Sequence, residues 1–193
     1  MTLQMVSEDR EYRAFEMRAS EEGMTVEGYA AVFNSAAILY SLDGIDYKEE
    51  IDRNAFNSAQ MADVVMNYNH QGKPVARTKN GTLELFIDNT GLRIKANLAG
   101  TEEGRRLYEE IKGGYIDKMS FAFIVSEDSY DRNTHTRRIL GFDRIFDVAA
   151  VDMPAYDATS ISARSYFSAE AEKAKMAEAR AKKIKKIKLM LEV

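Results

Sequence analysis

Apolar positions along this chain recur mostly with a period of two, the spacing of a half-buried strand. The clearest case is TLELFIDNTGLRIKANL, where two alternating runs flank Asp88-Asn89-Thr90-Gly91 and predict a β-hairpin. REYRAFEMRAS, with Tyr12, Phe15 and Met17, predicts an earlier strand. MTVEGYAAVFNS, with Val26, Tyr29 and Val32, predicts the next, and Gly28 inside it marks a bulge or a close backbone approach. A turn is expected at Asp43-Gly44, then a short helical segment near Asp52–Ser58. ADVVMNYNH predicts a strand with an apolar start and a polar end, followed by turn chemistry at Gly72, Pro74 and Asn80-Gly81.

Helical spacing replaces alternation in GTEEGRRLYEEIKGG. Thr101 can cap that helix, Glu102 and Glu103 suit the positive end of its dipole, Leu107 and Ile111 share a face, and Gly113-Gly114 ends it. The strand carrying Ser120 follows at once. SYDRNTHTRRILGFDRIFDVAAVD predicts a turn and two more strands, and MPAYDATSISAR a loop or irregular strand. From about Ser168 the chain turns rich in Ala, Lys and Glu and predicts a helix, with Ile184, Ile187 and Met190 or Leu191 on one stripe. Seven or eight strands joined mostly by short turns favour antiparallel pairing. The expected fold is α+β, mainly β: a closed or half-closed antiparallel β-barrel with peripheral helices. The composition shift divides a domain of residues 1–167 from a helical tail of residues 168–193. No internal repeat is present.

With 193 residues, 45% hydrophobic and 30% charged, the chain has the make-up of a soluble domain that needs no disulfide or metal to fold. The absence of cysteine fits a reducing compartment and excludes a thiol nucleophile and a thiolate zinc site. The few histidines and scattered carboxylates show no metal-ligand spacing, so no metal or cofactor is indicated. No apolar run is long enough to span a membrane, and the N-terminus lacks the apolar core of a secretion signal. The net charge of −4 hides an asymmetry: residues 170–193 hold eight Lys/Arg and four Glu, leaving an acidic body and a basic tail. An acidic body argues against nucleic-acid binding, and a Lys-rich helix face is commonly just solvated.

Three polar residues interrupt otherwise apolar strands or end them. Ser120 lies between Met119 and Phe121; in a strand it shares a face with Ala122, the small-residue face, where another group can approach. His70 ends an apolar strand just before a turn, held by a rigid element yet reachable. Asp147 is surrounded by Ile145, Phe146, Val148 and Val151 and must pair or stay solvated. Each has an ordinary reading too: a serine on a packed wall, a capping histidine, an aspartate paired with Arg144. Together they supply a hydroxyl nucleophile, a base and an orienting acid. The other histidine, His135, falls in a polar hairpin tip and reads as exposed. For the oxyanion, Arg137 or Arg138 on the RRIL strand is a candidate to contribute a backbone N–H or to orient a water.

The segments GYAAVFN, EEIDRNAF, NYNH, TLELFIDNTGLRIKANL, TEEGRRLYEEIKGGYIDKMSFAF, RRIL and FDVAAVDMPAY, in this order from about Glu27 to Arg164, resemble the tailed-phage prohead proteases. These are capsid-maturation serine proteases related in fold to herpesvirus assemblin. The resemblance implies a nucleophilic serine in the Met-Ser-Phe strand, Ser120; a catalytic histidine at the Asn-x-x-His position, His70; and an acid in the strand before Pro-Ala-Tyr, Asp147, where glutamate is more common. Gln71 and Ala149 also depart from frequent family residues. The implied function is a serine endopeptidase that cleaves the scaffold segment of the phage major capsid protein, and itself, inside the prohead in the bacterial host cytoplasm, with self-association and without nucleic acid or membrane. The competing readings are a non-catalytic capsid assembly or scaffold protein on the same fold, and a small serine esterase. The latter lacks the expected Gly-x-Ser-x-Gly elbow.

Overall fold

The computed structural model describes residues 11–20, 23–152 and 156–191, and the side chains of these except residues 12, 14, 156–163 and 186–191. Among the described residues ten strands and two α-helices run in the order β1 (Glu11–Ala19), β2 (Thr25–Val32), β3 (Ala37–Leu42), β4 (Ile45–Ile51), β5 (Val65–Tyr68), β6 (Gln71–Arg77), β7 (Leu83–Ile87), β8 (Gly91–Asn97), α1 (Glu102–Lys112), β9 (Lys118–Asp131), β10 (Thr136–Val151) and α2 (Tyr156–Leu191). The chain divides into two compact units, residues 1–159 and 160–193.

The first unit is organised by the β9–β10 hairpin, paired antiparallel from Asp131/Thr136 to Lys118/Val151. Its tip is the Asp131–Thr136 turn, where Asp131 accepts from the Asn133 amide and from the Thr134 hydroxyl. β9 gives its other edge to β1 antiparallel, and β1 passes the ladder to β2, β8 and β7. β10 gives its other edge to two strands in parallel: β4 along its first residues and β5 along its last. The path reads β3-β4-β10-β9-β1-β2-β8-β7, with β6 joined to β5.

The expected barrel is therefore corrected to an open, mixed sheet. Among the described residues no ladder joins the end strands β3 and β7, and β10 pairs in parallel twice. Short turns between neighbours say nothing about the second edge of a strand. β10 is 16 residues long, so its free edge is shared by two shorter strands distant in sequence. Two expected strands also merge into β10. Gly141 bridges them through a bulge, and a Cβ there would stand 2.8 Å from Ser126 Oγ.

The segment Asp52–Ser58 is not helical. It is a run of turns: the Ala55 amide donates to Asp52 O at 3.0 Å, Asn57 to Asn54 O at 3.0 Å and Ala59 to Phe56 O at 3.2 Å. Asp52 Oδ1 accepts from the Asn54 amide, the local bonding by which Asp and Asn compete with a helix. The loop expected over MPAYDATSISAR is also corrected from Tyr156 onward, where α2 begins. Met153 to Ala155 lie outside the described residues. Past Pro154 no Gly or Pro interrupts the run, so nothing stops a helix once it has started. α1 is as expected: Thr101 Oγ1 accepts from the Gly104 amide at 2.9 Å, and Gly114, at φ +75°, takes the left-handed conformation just past its end.

The core lies on the face of β9 that carries Met119, Phe121 and Phe123, all fully buried. The Phe121 and Phe123 rings stack at 4.7 Å, Phe123 meets Phe142 edge-on at 4.9 Å, and Phe142 lies tilted against Phe56 at 4.6 Å. Gly28 permits the β1–β2 approach. A Cβ there would meet Glu16 O at 2.6 Å, and a bulge follows between Tyr29 and Ala31.

A charge network centred on buried Arg13, Glu49 and Arg137 ties four strands together. Arg13 of β1 donates from Nε and Nη2 to the two carboxylate oxygens of Glu49 of β4, each at 2.5 Å. Arg137 of β10 donates to Glu11 Oε2 at 2.7 Å, Glu49 Oε2 at 3.2 Å and Asp128 Oδ2 at 2.8 Å. Burial works against the Glu11 carboxylate, but the guanidinium charges of Arg13 and Arg137 outweigh it and hold the carboxyl below its ordinary value of 4.5. Burial likewise opposes the Arg137 cation, and Glu11 and Glu49 overcome it, so its pKa is raised.

The second unit consists of α2 residues. Lys173–Glu170, Lys175–Glu172 and Lys182–Glu178 pair one turn apart, on exposed positions except for the half-buried Glu170. Ile184 is exposed; Ile187, Met190 and Leu191 lie outside the described side chains. Among the described residues no helix is long and apolar enough to cross a membrane.

Three outcomes are expected. Gly28→Ala forces β1 away from β2 and lowers stability by roughly 1–3 kcal/mol, measured by chemical denaturation. Glu49→Gln leaves two buried guanidinium groups short of a counter-charge and costs on the order of 3–5 kcal/mol. In the parent protein Glu11 has a depressed folded-state pKa. Its contribution is complete above 4.5 and is lost as pH falls below that value, so the melting temperature drops on acidification and the drop is smaller in Glu11→Gln.

Candidate active site

Strand register places two of the three singled-out residues, Ser120 and Asp147, on one face of the sheet. Ser120 of β9 stands opposite Ala149 of β10, and Ala122 opposite Asp147. Residues opposite each other across a ladder point to the same side, so Ser120 and Asp147 share a face as diagonal neighbours. Across the other edge of β10, Ala149 stands opposite Asn67 and Asp147 opposite Val65 of β5. This face is the reverse of the phenylalanine core and is lined by small side chains: Ser120, Ala122 and Ala149 are all fully buried.

His70 reaches the same face from a two-residue hairpin. Tyr68 of β5 pairs with Gln71 of β6, and Asn69 and His70 between them have φ of +49° and +57°. Positive φ at both central positions is the geometry of the type I′ turn, which suits Asn well and His less. The turn is pinned to β10: the Asn69 amide donates to Ala150 O at 2.9 Å, and Asn69 Oδ1 accepts from the Asp152 amide at 3.3 Å. The Tyr68 hydroxyl adds a bond to Asp152 Oδ2 at 2.9 Å.

Held in this way, His70 Nδ1 lies 2.5 Å from Asp147 Oδ1, with side-chain exposures of 14% and 10%. A carboxylate only accepts, so Nδ1–H is the donor and the neutral ring keeps its lone pair on Nε2, a buried atom. Asp147 thus pairs with the histidine and not with Arg144, whose Nη2 donates to Gln60 Oε1 at 2.6 Å. Ser120 Oγ is buried and makes no hydrogen bond. Catalytic hydrogen bonds are often long in a substrate-free enzyme and tighten when substrate binds.

The remaining candidates lie elsewhere. His135 sits at the far end of the β9–β10 hairpin, with Nδ1 3.1 Å from the Tyr130 hydroxyl and its ring 5.2 Å from that of Tyr47. It is half-buried, where full exposure was expected. Arg137 and Arg138 are also at that end. Arg137 belongs to the buried charge network, and Arg138 donates to Asp52 Oδ2 at 2.6 Å and also binds Glu50 and Asn34. Their oxyanion role is withdrawn. Sequence reasoning did not single out Asn67. Its signal was present: an amide in the middle of an apolar strand.

The family model of the Caudovirus prohead serine proteases matches residues 12–190. The chain belongs to that family. It is a serine protease of phage capsid maturation. Comparisons with curated proteins and with solved structures gave no match. In this prohead protease a groove of about 490 Å³ borders the His70 turn, between β6 and α1, lined by Tyr68, Gln71, Val75, Glu103, Leu107 and Glu110 among others. Among the described residues no His, Asp or Glu cluster is arranged to hold a metal ion.

Ser120 Oγ stabilises nothing through hydrogen bonding in the free protein. Ser120→Ala is therefore expected to keep or slightly raise the melting temperature, because it removes a buried polar atom that has no partner. A drop of several degrees would contradict this account of the hydroxyl.

Proposed function

We propose that this protease is an endopeptidase in which Ser120 is the nucleophile, His70 the general base and Asp147 the orienting acid. Its proposed substrates are the scaffold segment of the phage major capsid protein and the protease itself, cut within the assembling prohead. The observation that supports this most directly is the bond from His70 Nδ1 to Asp147 Oδ1, made on the same sheet face as Ser120.

In the acylation step the Ser120 oxygen bonds to the scissile carbonyl carbon while His70 Nε2 takes the hydroxyl proton. Asp147 holds the imidazole in the tautomer that leaves Nε2 free to accept, and stabilises the cation that forms. The proton then passes from Nε2 to the leaving amine as the C–N bond breaks, leaving an ester on Ser120. Water, deprotonated by the same nitrogen, hydrolyses the ester and restores the hydroxyl. Aspartate in place of the family's more frequent glutamate shortens the acid by one methylene. The shorter acid still meets the ring, His70 Nδ1 lying 2.5 Å from Asp147 Oδ1. Ser120 is wholly buried, so a peptide reaches Oγ only after part of the chain moves aside. The groove beside the turn supplies apolar walls and charges of both signs for an extended segment.

A fluorophosphonate probe should label Ser120 in the purified chain, as mapped by mass spectrometry. Ser120→Ala and His70→Ala should remain folded and fail to process the capsid protein or themselves. Asp147→Asn should lose on the order of 10⁴ in kcat while retaining the fold. Processing by Ser120→Ala would dismiss the nucleophile. A chain that is neither labelled nor self-cleaved, yet supports capsid assembly, would favour the non-catalytic reading.

A further inference from the structure

Asn67 occupies the row that contains Ser120. The register runs Asn67 of β5, Ala149 of β10, Ser120 of β9, so the carboxamide and the hydroxyl emerge from the same face with only a methyl between them. Asn67 is 7% exposed, its Oδ1 is fully buried, and that oxygen has no hydrogen-bond partner. Its neighbours offer no structural reason for an amide. Met66 is fully buried, and β5 is flanked on both edges, by β10 and β6, a setting that favours β-branched or aromatic residues over Asn. A buried amide left unpaired weakens the fold, and such groups in native proteins point to a role outside folding.

We propose that the Asn67 carboxamide is a substrate-binding group that pairs with the main chain of the extended peptide, a few residues from the scissile bond. This rests on the triad reading above. A carboxamide carries one acceptor and two donors and so answers both the N–H and the C=O of a peptide. Two strand spacings, about 9–10 Å, separate the backbones of Asn67 and Ser120, which is too far for Asn67 to touch the oxyanion formed at Oγ. A strand-like peptide advances about 3.3 Å per residue, so a segment with its carbonyl at Oγ passes Asn67 two or three residues away. Ala149, with its small side chain, leaves room for a main chain between them once the covering part of the chain has moved aside.

The test compares three readouts on the full chain with Asn67→Leu, which keeps the volume and deletes the amide, and Asn67→Ala, which leaves the space open. The readouts are the melting temperature, the rate of Ser120 labelling by a small alkyl fluorophosphonate, and kcat/KM for cleavage of the major capsid protein of the same phage. The probe has no peptide main chain, so labelling should stay within about twofold of the parent in both variants. Cleavage should fall at least tenfold in both, and the melting temperature of Asn67→Leu should not drop. Undiminished cleavage in both variants overturns the proposal. So does a fall in labelling equal to the fall in cleavage, which assigns Asn67 to the oxyanion or to His70 positioning, and so does a melting temperature that falls together with cleavage, which assigns it to folding. If the parent chain is not labelled at Ser120, the triad itself fails, an outcome recognisable before any Asn67 variant is made.

Discussion

The β9–β10 ladder is the constraint on which the rest of this protein depends. It holds 13 register pairs between two strands of 14 and 16 residues, and every other strand reaches the sheet through one of its two outer edges or through a neighbour paired there. A side-chain period of two makes the register decisive. Slippage by one residue would turn Ser120 into the phenylalanine core and Phe121 onto the site face. The bulges around Gly141 and before Asp147 take up twist without disturbing the Ser120/Ala149 pairing.

The two ends of this ladder serve different purposes. Near the hairpin tip, Arg13, Glu49, Arg137, Glu11 and Asp128 form a buried, mutually paired set in which nearly every charge is answered. At the opposite end the polar groups are less complete. Ser120 Oγ and Asn67 Oδ1 are buried with no hydrogen bond among the described residues, while the histidine bonds to Asp147 from a turn with two positive φ values. A fold that satisfies its polar groups at one end and leaves them unmet at the other is arranged as stable scaffold and receptive site. The strain of His70 at φ +57° is tolerated because Asn69 and Tyr68 fix the turn to β10 through three hydrogen bonds.

Particular residues show where reading the sequence succeeds. The β7–β8 hairpin was legible because alternation and Asp-Asn-Thr-Gly agree, and α1 because its cap, acidic first turn and glycine end agree. Ser120 and Asp147 stood out because each is polar among apolar neighbours, and His70 because it ends a strand just before a turn. The Asp52–Ser58 segment misled because Asp52 and Asn54 bond locally and divert the chain into turns, a competition that periodicity does not register. The start of α2 was missed because nothing in MPAYDATSISAR marks a helix until the residues beyond it are included.

The sequence by itself determined which residues face each other within a hairpin, which face of each strand is apolar, and, through the ordered motifs, the protease family. These are properties of neighbours along the chain. Tertiary structure alone decided that β10 takes β4 and β5 in parallel, that the sheet stays open, that Asp147 meets His70 across 77 residues in place of Arg144 three residues away, and that Asn67 joins the row of Ser120. The physical reason is common to all of these. A strand has two edges, its local pattern specifies faces but not partners, and the second partner is chosen by what long-range packing brings alongside.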